Sequence, residues 1–251
     1  MTGMTRLGLA WLSVALALAA APGCRKTDPL APLGAEELRS AGLAKMDAGK
    51  ESDARKYFET MIVRAGTLAP EGTYLTGMSY FKQGLYEEAY ARFEEVIDRY
   101  PASEWCDDAQ YMKGESRLQA APPLDKDQTK VDEALDEFTA LVEEYEGSEL
   151  VPKAQQGIAE CRRLKAAKLL AVGKFYKKTG KYRAAAVYFQ NVADDYPEFD
   201  ALAEALFLAG ESYALAGDKD AAAESYKNLL SRFPESAHAA SAAAKLAALE
   251  P

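Results

Sequence analysis

Small, aromatic and apolar residues recur along this chain at fixed intervals. In one stretch the intervals are three, nine, four, three and five residues, and they join Gly77, Tyr80, Ala89, Phe93, Val96 and Pro101. The same intervals run from Gly173 to Pro197 and from Gly210 to Pro234. Intervals of three and four residues place side chains on one face of an α-helix, and proline stops a helix. Each stretch therefore predicts two short helices joined by a turn.

A period of about 34 residues is typical of the tetratricopeptide repeat, a helix-turn-helix unit. The sequence thus predicts an all-α fold, a tetratricopeptide-repeat superhelix (α-solenoid) of about five helical hairpins with a C-terminal capping helix. The predicted repeat domain covers 35–251, with repeats at about 35–68, 70–103, 107–148, 166–199 and 203–236 and the capping helix at 237–250. Stacked repeats of this kind form binding surfaces, and the repeating residues themselves are expected to pack.

The third repeat departs from the pattern. Ala134 follows Gly114 by twenty residues where twelve are expected, so eight residues are inserted between them, including 121–125. Phe138 then falls back into register, and Glu146 stands where proline is usual. The helical period continues without interruption over 149–178, which predicts one long helix leading into the fourth repeat.

The first 23 residues have the pattern of an export signal. An uncharged apolar run over 7–21 follows Arg6 and is shorter than the roughly 20 residues that cross a bilayer. Ala21-Pro22-Gly23-Cys24 resembles the site at which bacterial lipoproteins are cleaved, between Gly23 and Cys24, and acylated on the cysteine, for example with palmitate. The alternative is a soluble periplasmic protein in which Cys24 has no such role.

The residues after Cys24 predict a tether and a location. Residues 24–34 contain two prolines and no helical period, which indicates a flexible lipidated tether. By the sorting rule of such lipoproteins, Arg25 in place of aspartate implies the periplasmic face of the outer membrane, with lipid as the only membrane contact. The formal charge is −9, and residues 1–23 carry only Arg6, so the remaining chain carries −10. This charge argues against nucleic-acid partners.

The sequence shows no catalytic or metal-binding motif. The single histidine, His238, falls in the alanine-rich terminal segment, where a solvated helix residue is expected. Cys106 and Cys161 fall near the starts of predicted helices in different repeats, which favours burial as small apolar residues, although a disulfide between them stays open. We therefore expect no enzymatic activity, no metal and no cofactor.

Projection of the repeat onto helices gives candidate interaction residues on the side lined by each first helix. The N-terminal repeats contribute a candidate peptide-binding groove of Met46, Tyr74, Met78, Phe81, Lys82 and Tyr111. Methionine and aromatic side chains suit an adaptable apolar pocket. The C-terminal repeats contribute candidate docking residues Lys174, Lys177, Phe207 and Glu211. The alternative is that these side chains pack against neighbouring helices.

A more specific resemblance is carried by residues 125–198. The residues concerned are Asp127-Gln128-Thr129, Ala134, Phe138, Tyr145, Ser148, Ala154, Arg163-Leu164, Phe175-Tyr176 and Gly180. With the five repeats, the insertion and the long helix, this pattern resembles the BamD family, lipoproteins of the outer-membrane β-barrel assembly machinery. The family departs from this chain at Lys168, where glutamate is frequent, and at Tyr188, where arginine often contributes to partner contact.

The resemblance implies a non-enzymatic periplasmic scaffold. Its C-terminal repeats would dock on the barrel assembly protein (BamA-like), with accessory lipoproteins as further partners. Its N-terminal repeats would receive the C-terminal segments of unfolded outer-membrane proteins for folding and insertion. The alternative is another periplasmic repeat protein, either a Tol-system coordinator of envelope constriction or a lipoprotein of pilus secretin assembly.

Overall fold

The computed structural model describes residues 30–64 and 66–249, and their regular structure is entirely helical. The helices are α1 Ala35–Asp47, α2 Glu51–Arg64, α3 Ala69–Lys82, α4 Tyr86–Arg99, α5 Cys106–Gln119, α6 Thr129–Glu144, α7 Val151–Lys178, α8 Tyr182–Asp195, α9 Leu202–Leu215, α10 Lys219–Arg232 and α11 Ala239–Leu249. One turn of 3₁₀ helix, Gly66–Leu68, precedes α3. The predicted all-α fold is confirmed for this part of the chain.

The chain divides into two compact units, Met1–Pro32 and Leu33–Pro251. The predicted signal peptide (1–23), its cleavage site at Gly23 and Cys24, and the acylation of Cys24 lie outside the described residues. Of the predicted tether, only residues 30–34 are described: residues 30–32 form a turn, and Gly34, with an extended backbone, precedes α1. These assignments therefore stay predictions.

Within the second unit, each helix packs mainly on the next helix in the chain. Five hairpins result, α1–α2, α3–α4, α5–α6, α7–α8 and α9–α10, and α11 packs on α10. Tight turns join the helices of a hairpin. In the second hairpin Gly84, at φ +74°, donates its N–H to the carbonyl of Phe81. A positive φ is costly for residues with a Cβ, so glycine suits this turn.

The repeated glycines lie directly against the repeated aromatic rings. A Cβ atom added to Gly77 would lie 2.7 Å from Cε1 of Phe93, and one added to Gly173 would lie 2.5 Å from Cε1 of Phe189. Both rings are fully buried. The spacing thus records a close approach of the two helices in each hairpin, which any side chain at the glycine would prevent.

The long helix α7 packs on α6 with its N-terminal part and on α8 with its C-terminal part. Its N-terminal part packs on α6 through Ala154, Gly157 and Cys161, which are buried in the same cluster as Phe138. Its C-terminal part pairs with α8 through Gly173 and forms the fourth hairpin. Two helices that would each begin a hairpin are therefore fused end to end in α7.

Two sequence expectations change in detail. Cys161 lies in the middle of α7 and not near a helix start, although it is buried as expected. His238 precedes α11, and its imidazole stacks on Phe207 with ring centroids 5.0 Å apart, so it is partly buried and not a solvated helix residue. The spacing along the chain could not predict that Cys161 packs on α6 or that His238 stacks on Phe207 of α9, because these partners lie in other helices.

Candidate interaction surfaces

The N-terminal candidate groove is largely filled by its own side chains. The Tyr74 ring lies 5.6 Å from the Phe93 ring and 4.9 Å from the Trp105 ring, between centroids. Burial raises the pKa of the Tyr74 phenol well above its usual range, with Asp108 and Asp107 adding to the shift. Tyr74 therefore fixes α3 against α4 and the segment before α5.

Three further members of this set are also packed. Met46 is only 6% exposed and belongs to the core. Met78 packs on the cluster around Phe93. Tyr111 lies 5.7 Å from the Phe138 ring, between centroids, and its hydroxyl donates to Glu115 at 2.9 Å. These contacts are the alternative that the sequence left open.

Phe81 and Lys82 lie at the C-terminal end of α3, at one end of the candidate groove. Phe81 is partly buried at the C-terminal end of α3, with its ring 5.3 Å from that of Tyr86 in an edge-to-face arrangement. Lys82 is exposed beside it. An apolar ring next to an exposed ammonium group can accept an apolar side chain and a carboxylate together.

The C-terminal candidate residues are brought together by α7, α9 and α11. Lys174 forms an ion pair with Glu204 at 2.8 Å, and Lys177 forms one with Glu211 at 2.5 Å. Glu211 also pairs with Lys245 of α11 at 3.1 Å. Burial acts to raise the pKa of Glu211, but hydrogen bonds from the two lysines and their charges outweigh it and hold the pKa below its usual range.

Phe207 belongs to the same region but is held inside the hairpin. Its ring lies 6.1 Å from that of Tyr226 and 5.0 Å from that of His238, between centroids. Beside it an open cleft of about 380 Å³ separates α9 from α11. The cleft is lined by Lys177, Glu211, Ala214, Leu215, Tyr226, Lys245, Ala248 and Leu249.

Sequence reasoning missed the contribution of α11 to this cleft. The alanine-rich composition predicts a helix there, but not the helix that it faces. A second cleft that the sequence did not indicate, of about 680 Å³, lies between the 3₁₀ turn and the loop from α4 to α5. Its lining includes Glu71, Arg99, Tyr100 and Trp105. The only hint in the sequence of this second cleft was Trp105, a large aromatic residue outside the repeat pattern.

A polar network joins α4, α5 and α6 away from these clefts. The Glu137 carboxylate accepts hydrogen bonds from Tyr90 at 2.6 Å and Gln110 at 2.8 Å, and it pairs with Lys113 at 2.9 Å. Burial acts to raise the pKa of Glu137, but the hydrogen bonds from Tyr90 and Lys113 and the Lys113 charge outweigh it and lower the pKa. The Arg117 guanidinium lies over the Tyr90 ring, 3.5 Å from its centroid.

The described residues show neither a metal-binding cluster nor an exposed thiol. Residues 30–64 and 66–249 contain no group of three or more His, Cys, Asp or Glu side chains placed to hold a metal ion. Cys106 and Cys161 are buried free thiols, and burial raises the pKa of Cys161 to about 12. No helix in this part of the chain is long and apolar enough to span a bilayer.

The surfaces described above belong to a chain with recognisable relatives. The BamD outer membrane protein assembly factor of Caulobacter vibrioides is 26% identical over 184 residues, which cover 72% of this chain and 60% of the relative. The BamD assembly factor of Rickettsia prowazekii is 25% identical over 239 residues, which cover 93% of each chain. The chain thus spans less than two thirds of the first relative and nearly all of the second.

Among solved structures, the TPR2AB domain of yeast Sti1 in its complex with pHSP90 is similar. It is 12% identical, covers 84% of this chain and 82% of its own, and has a TM-score of 0.49. The profile of the YfiO family, described as "Outer membrane lipoprotein", matches residues 33–227, which is most of the repeat unit. The chain therefore belongs to the YfiO family of outer membrane lipoproteins.

Proposed function

We propose that this chain is a non-enzymatic scaffold lipoprotein of the outer-membrane β-barrel assembly machinery. The observation that carries the proposal is the alignment with the Rickettsia assembly factor across 93% of both chains, which includes all five hairpins. A stack of helical hairpins presents an extended surface, which supports a binding role. The acyl chains on Cys24 would hold the repeats at the periplasmic face of the outer membrane.

The C-terminal repeats are the proposed docking site for the barrel assembly protein, with accessory lipoproteins as further partners. The support is the cleft between α9 and α11, where Leu215 is exposed beside the Lys177–Glu211 ion pair. Partly exposed charges at the rim of an apolar cleft give orientation to a protein partner.

The N-terminal repeats are the proposed site for the C-terminal segments of unfolded outer-membrane proteins. Phe81 would contact the apolar end of such a segment and Lys82 its terminal carboxylate. Tyr74 would hold α3, which carries Phe81 and Lys82, in position, because its ring packs between those of Phe93 and Trp105.

Affinity purification from native membranes tests the scaffold role. The lipidated full chain should recover the barrel assembly protein as its main partner. Recovery of Tol-system or secretin components in its place would contradict the proposal and support the alternative envelope functions. A Cys24→Ser chain, retained in the soluble fraction, provides the control for the lipid anchor.

A peptide-binding measurement tests the N-terminal site. We expect Phe81→Ala to weaken binding of a peptide that ends in phenylalanine by about tenfold, because truncation of an aromatic anchor costs on the order of 1–2 kcal/mol. Leu85→Ala is the matched control, since Leu85 is an exposed apolar residue just after the adjacent turn. Fluorescence anisotropy measures the affinity. Equal affinity of the two variants would show that Phe81 is not part of the peptide-binding site.

A further inference from the structure

One face of α7 continues past the helix that covers it. Ala154, Gly157 and Cys161 on this face are buried against α6. The contact between α6 and α7 ends near Lys165, which forms an ion pair with Asp132 at 2.6 Å. Asp132 lies only three residues after the start of α6 at Thr129. Beyond that level α7 runs on for three more turns.

The inserted segment of the third repeat covers only the next position. The ammonium group of Lys168 donates hydrogen bonds to the carbonyls of Leu124 at 2.7 Å and Lys126 at 3.0 Å. After Lys168 the same face carries Ala171, which is exposed, and Phe175, which is 61% exposed. The inserted segment thus covers this face of α7 as far as Lys168, and the last turns of α7 stay exposed on the same face.

The other repeats show that this face is normally an interface. Phe175 follows the repeat glycine Gly173 by two residues, and the corresponding residues Ser79, Ser116 and Ser212 are each 0% exposed. Five residues before the glycine, Gly72 contacts α2, Ala109 packs with the α4 cluster and Ala205 packs with the α8 cluster. In each case the covering element is the second helix of the preceding repeat.

In the fourth repeat the preceding second helix, α6, covers only the N-terminal part of α7 and not the part around Gly173. Because two hairpin-starting helices are fused in α7, the chain provides no second helix between them. The position that holds Gly72, Ala109 or Ala205 elsewhere is occupied by Lys168, and the buried serine position is occupied by Phe175. A lysine and a phenylalanine therefore replace small residues where the covering helix is missing.

The unpaired charge on and beside the open face is positive. Residues 161–193 contain nine Lys or Arg residues and no Asp or Glu, and five of the nine pair with carboxylates outside this segment: Arg162, Arg163, Lys165, Lys174 and Lys177. Lys178, three residues after Phe175, is exposed and forms no ion pair with another described residue. Lys168 uses two of the three donors of an ammonium group, so one remains for a ligand.

We propose that Lys168, Ala171, Phe175 and Lys178 form a docking face for an amphipathic α-helix of another protein, rich in Asp and Glu. The helix would take the place of the missing second helix. Phe175 would insert between its apolar side chains, and its carboxylates would pair with the two lysines. Phe175 and Lys177 lie about 200° apart around α7. Phe175 therefore faces away from the docking site that includes Lys177.

Photo-crosslinking in native cells tests the proposal. A photoreactive amino acid replaces Ala171 in the full lipidated chain, and mass spectrometry identifies the crosslinked segment. We expect one segment of a different protein, with carboxylates along one side and helical circular dichroism as a peptide. Adding Phe175→Glu to the same chain should lower the crosslink yield by about tenfold or more, as expected when an aromatic anchor is lost.

Two controls separate docking from folding. Val63 is an exposed apolar residue on α2, and Val63→Glu should leave the yield unchanged. Lys178→Glu should lower the yield without changing the thermal unfolding midpoint, since its side chain is exposed. The proposal is overturned by a crosslink to a second copy of this chain, to lipid or to a non-helical segment, by no crosslink, or by equal yields with and without Phe175→Glu.

Discussion

At the residue scale, the packing of Phe138 shows what the repeat spacing requires. Its ring lies between two glycines on different helices. A Cβ at Gly114 would lie 2.6 Å from Cε1, and a Cβ at Gly157 would lie 2.6 Å from Cε2. The ring is fully buried, so it cannot move away from one helix without meeting the other.

Gly157→Ala should therefore destabilise the protein. Alanine improves helix propensity by about 1 kcal/mol over glycine, but overpacking a rigid core costs about 1–3 kcal/mol, and here neither the ring nor the backbone can yield cheaply. With the ring held from both sides, we expect a cost of about 2–3 kcal/mol and therefore a net loss of roughly 1–2 kcal/mol in the free energy of unfolding, measured by urea denaturation.

Gly147→Ala is the matched control, because no heavy atom lies within 4 Å of a Cβ at Gly147. It should leave the free energy of unfolding within about 0.5 kcal/mol of the parent protein. If Gly157→Ala were as stable as this control, Phe138 would have room that the structure does not show.

At the scale of elements, the α4–α5–α6 interface depends on one carboxylate. Glu137 connects α6 to Tyr90 of α4 and to Gln110 and Lys113 of α5. Periodicity indicates that α6 packs on α5, but it does not indicate a polar contact across three helices. Such a network stabilises the interface only while the carboxylate is ionised.

Acid should weaken this interface. The pKa of Glu137 is lower in the folded protein than the ordinary value of 4.5, so its contribution to stability is present above pH 4.5 and is lost as the pH falls through the lower folded pKa. Glu137→Gln should lower the free energy of unfolding at pH 7 by about 1–3 kcal/mol and should reduce the loss of stability on acidification.

Urea denaturation at pH 7 and at pH 3.5 to 4 measures both effects. Glu143→Gln is the control, since Glu143 is exposed on the same helix. Parallel pH profiles for the parent protein and Glu137→Gln would show that the carboxylate does not carry the acid sensitivity.

At the scale of the whole repeat unit, contacts run from each helix to the next. The C-terminal end of this series is closed by α11, where Ala242 is fully buried and Leu246 packs on the same cluster. In a one-dimensional stack, loss of a terminal element should loosen its neighbours more than distant repeats.

Ala242→Asp should release α11, because an unpaired carboxylate would otherwise be buried against α10. Hydrogen exchange should accelerate about tenfold or more in α9 and α10 and stay unchanged in α1 to α4. Ala243→Asp places the same side chain on the exposed face of α11 and should have little effect. Uniform acceleration along the chain would show that the repeats unfold as one cooperative unit.

The sequence by itself determined the helices and their pairing. Gly77 and Phe93, with their counterparts, predicted the hairpins because a close helix contact needs a missing side chain opposite a large one. The uninterrupted period over 149–178 predicted the long helix that became α7. These features depend on residues close together in the sequence, so the spacing of small, aromatic and apolar residues is enough to predict them.

Only the tertiary structure decided which side chains remain available. Tyr74 and Met46 have the composition of a groove but are packed, whereas Phe175, which the repeat pattern gives no special place, is exposed. Exposure depends on which helix lies opposite, and the neighbour of the last turns of α7 is missing because two hairpin starts are fused. Spacing along one chain defines a helix face, but the elements packed against it decide whether that face is core or surface.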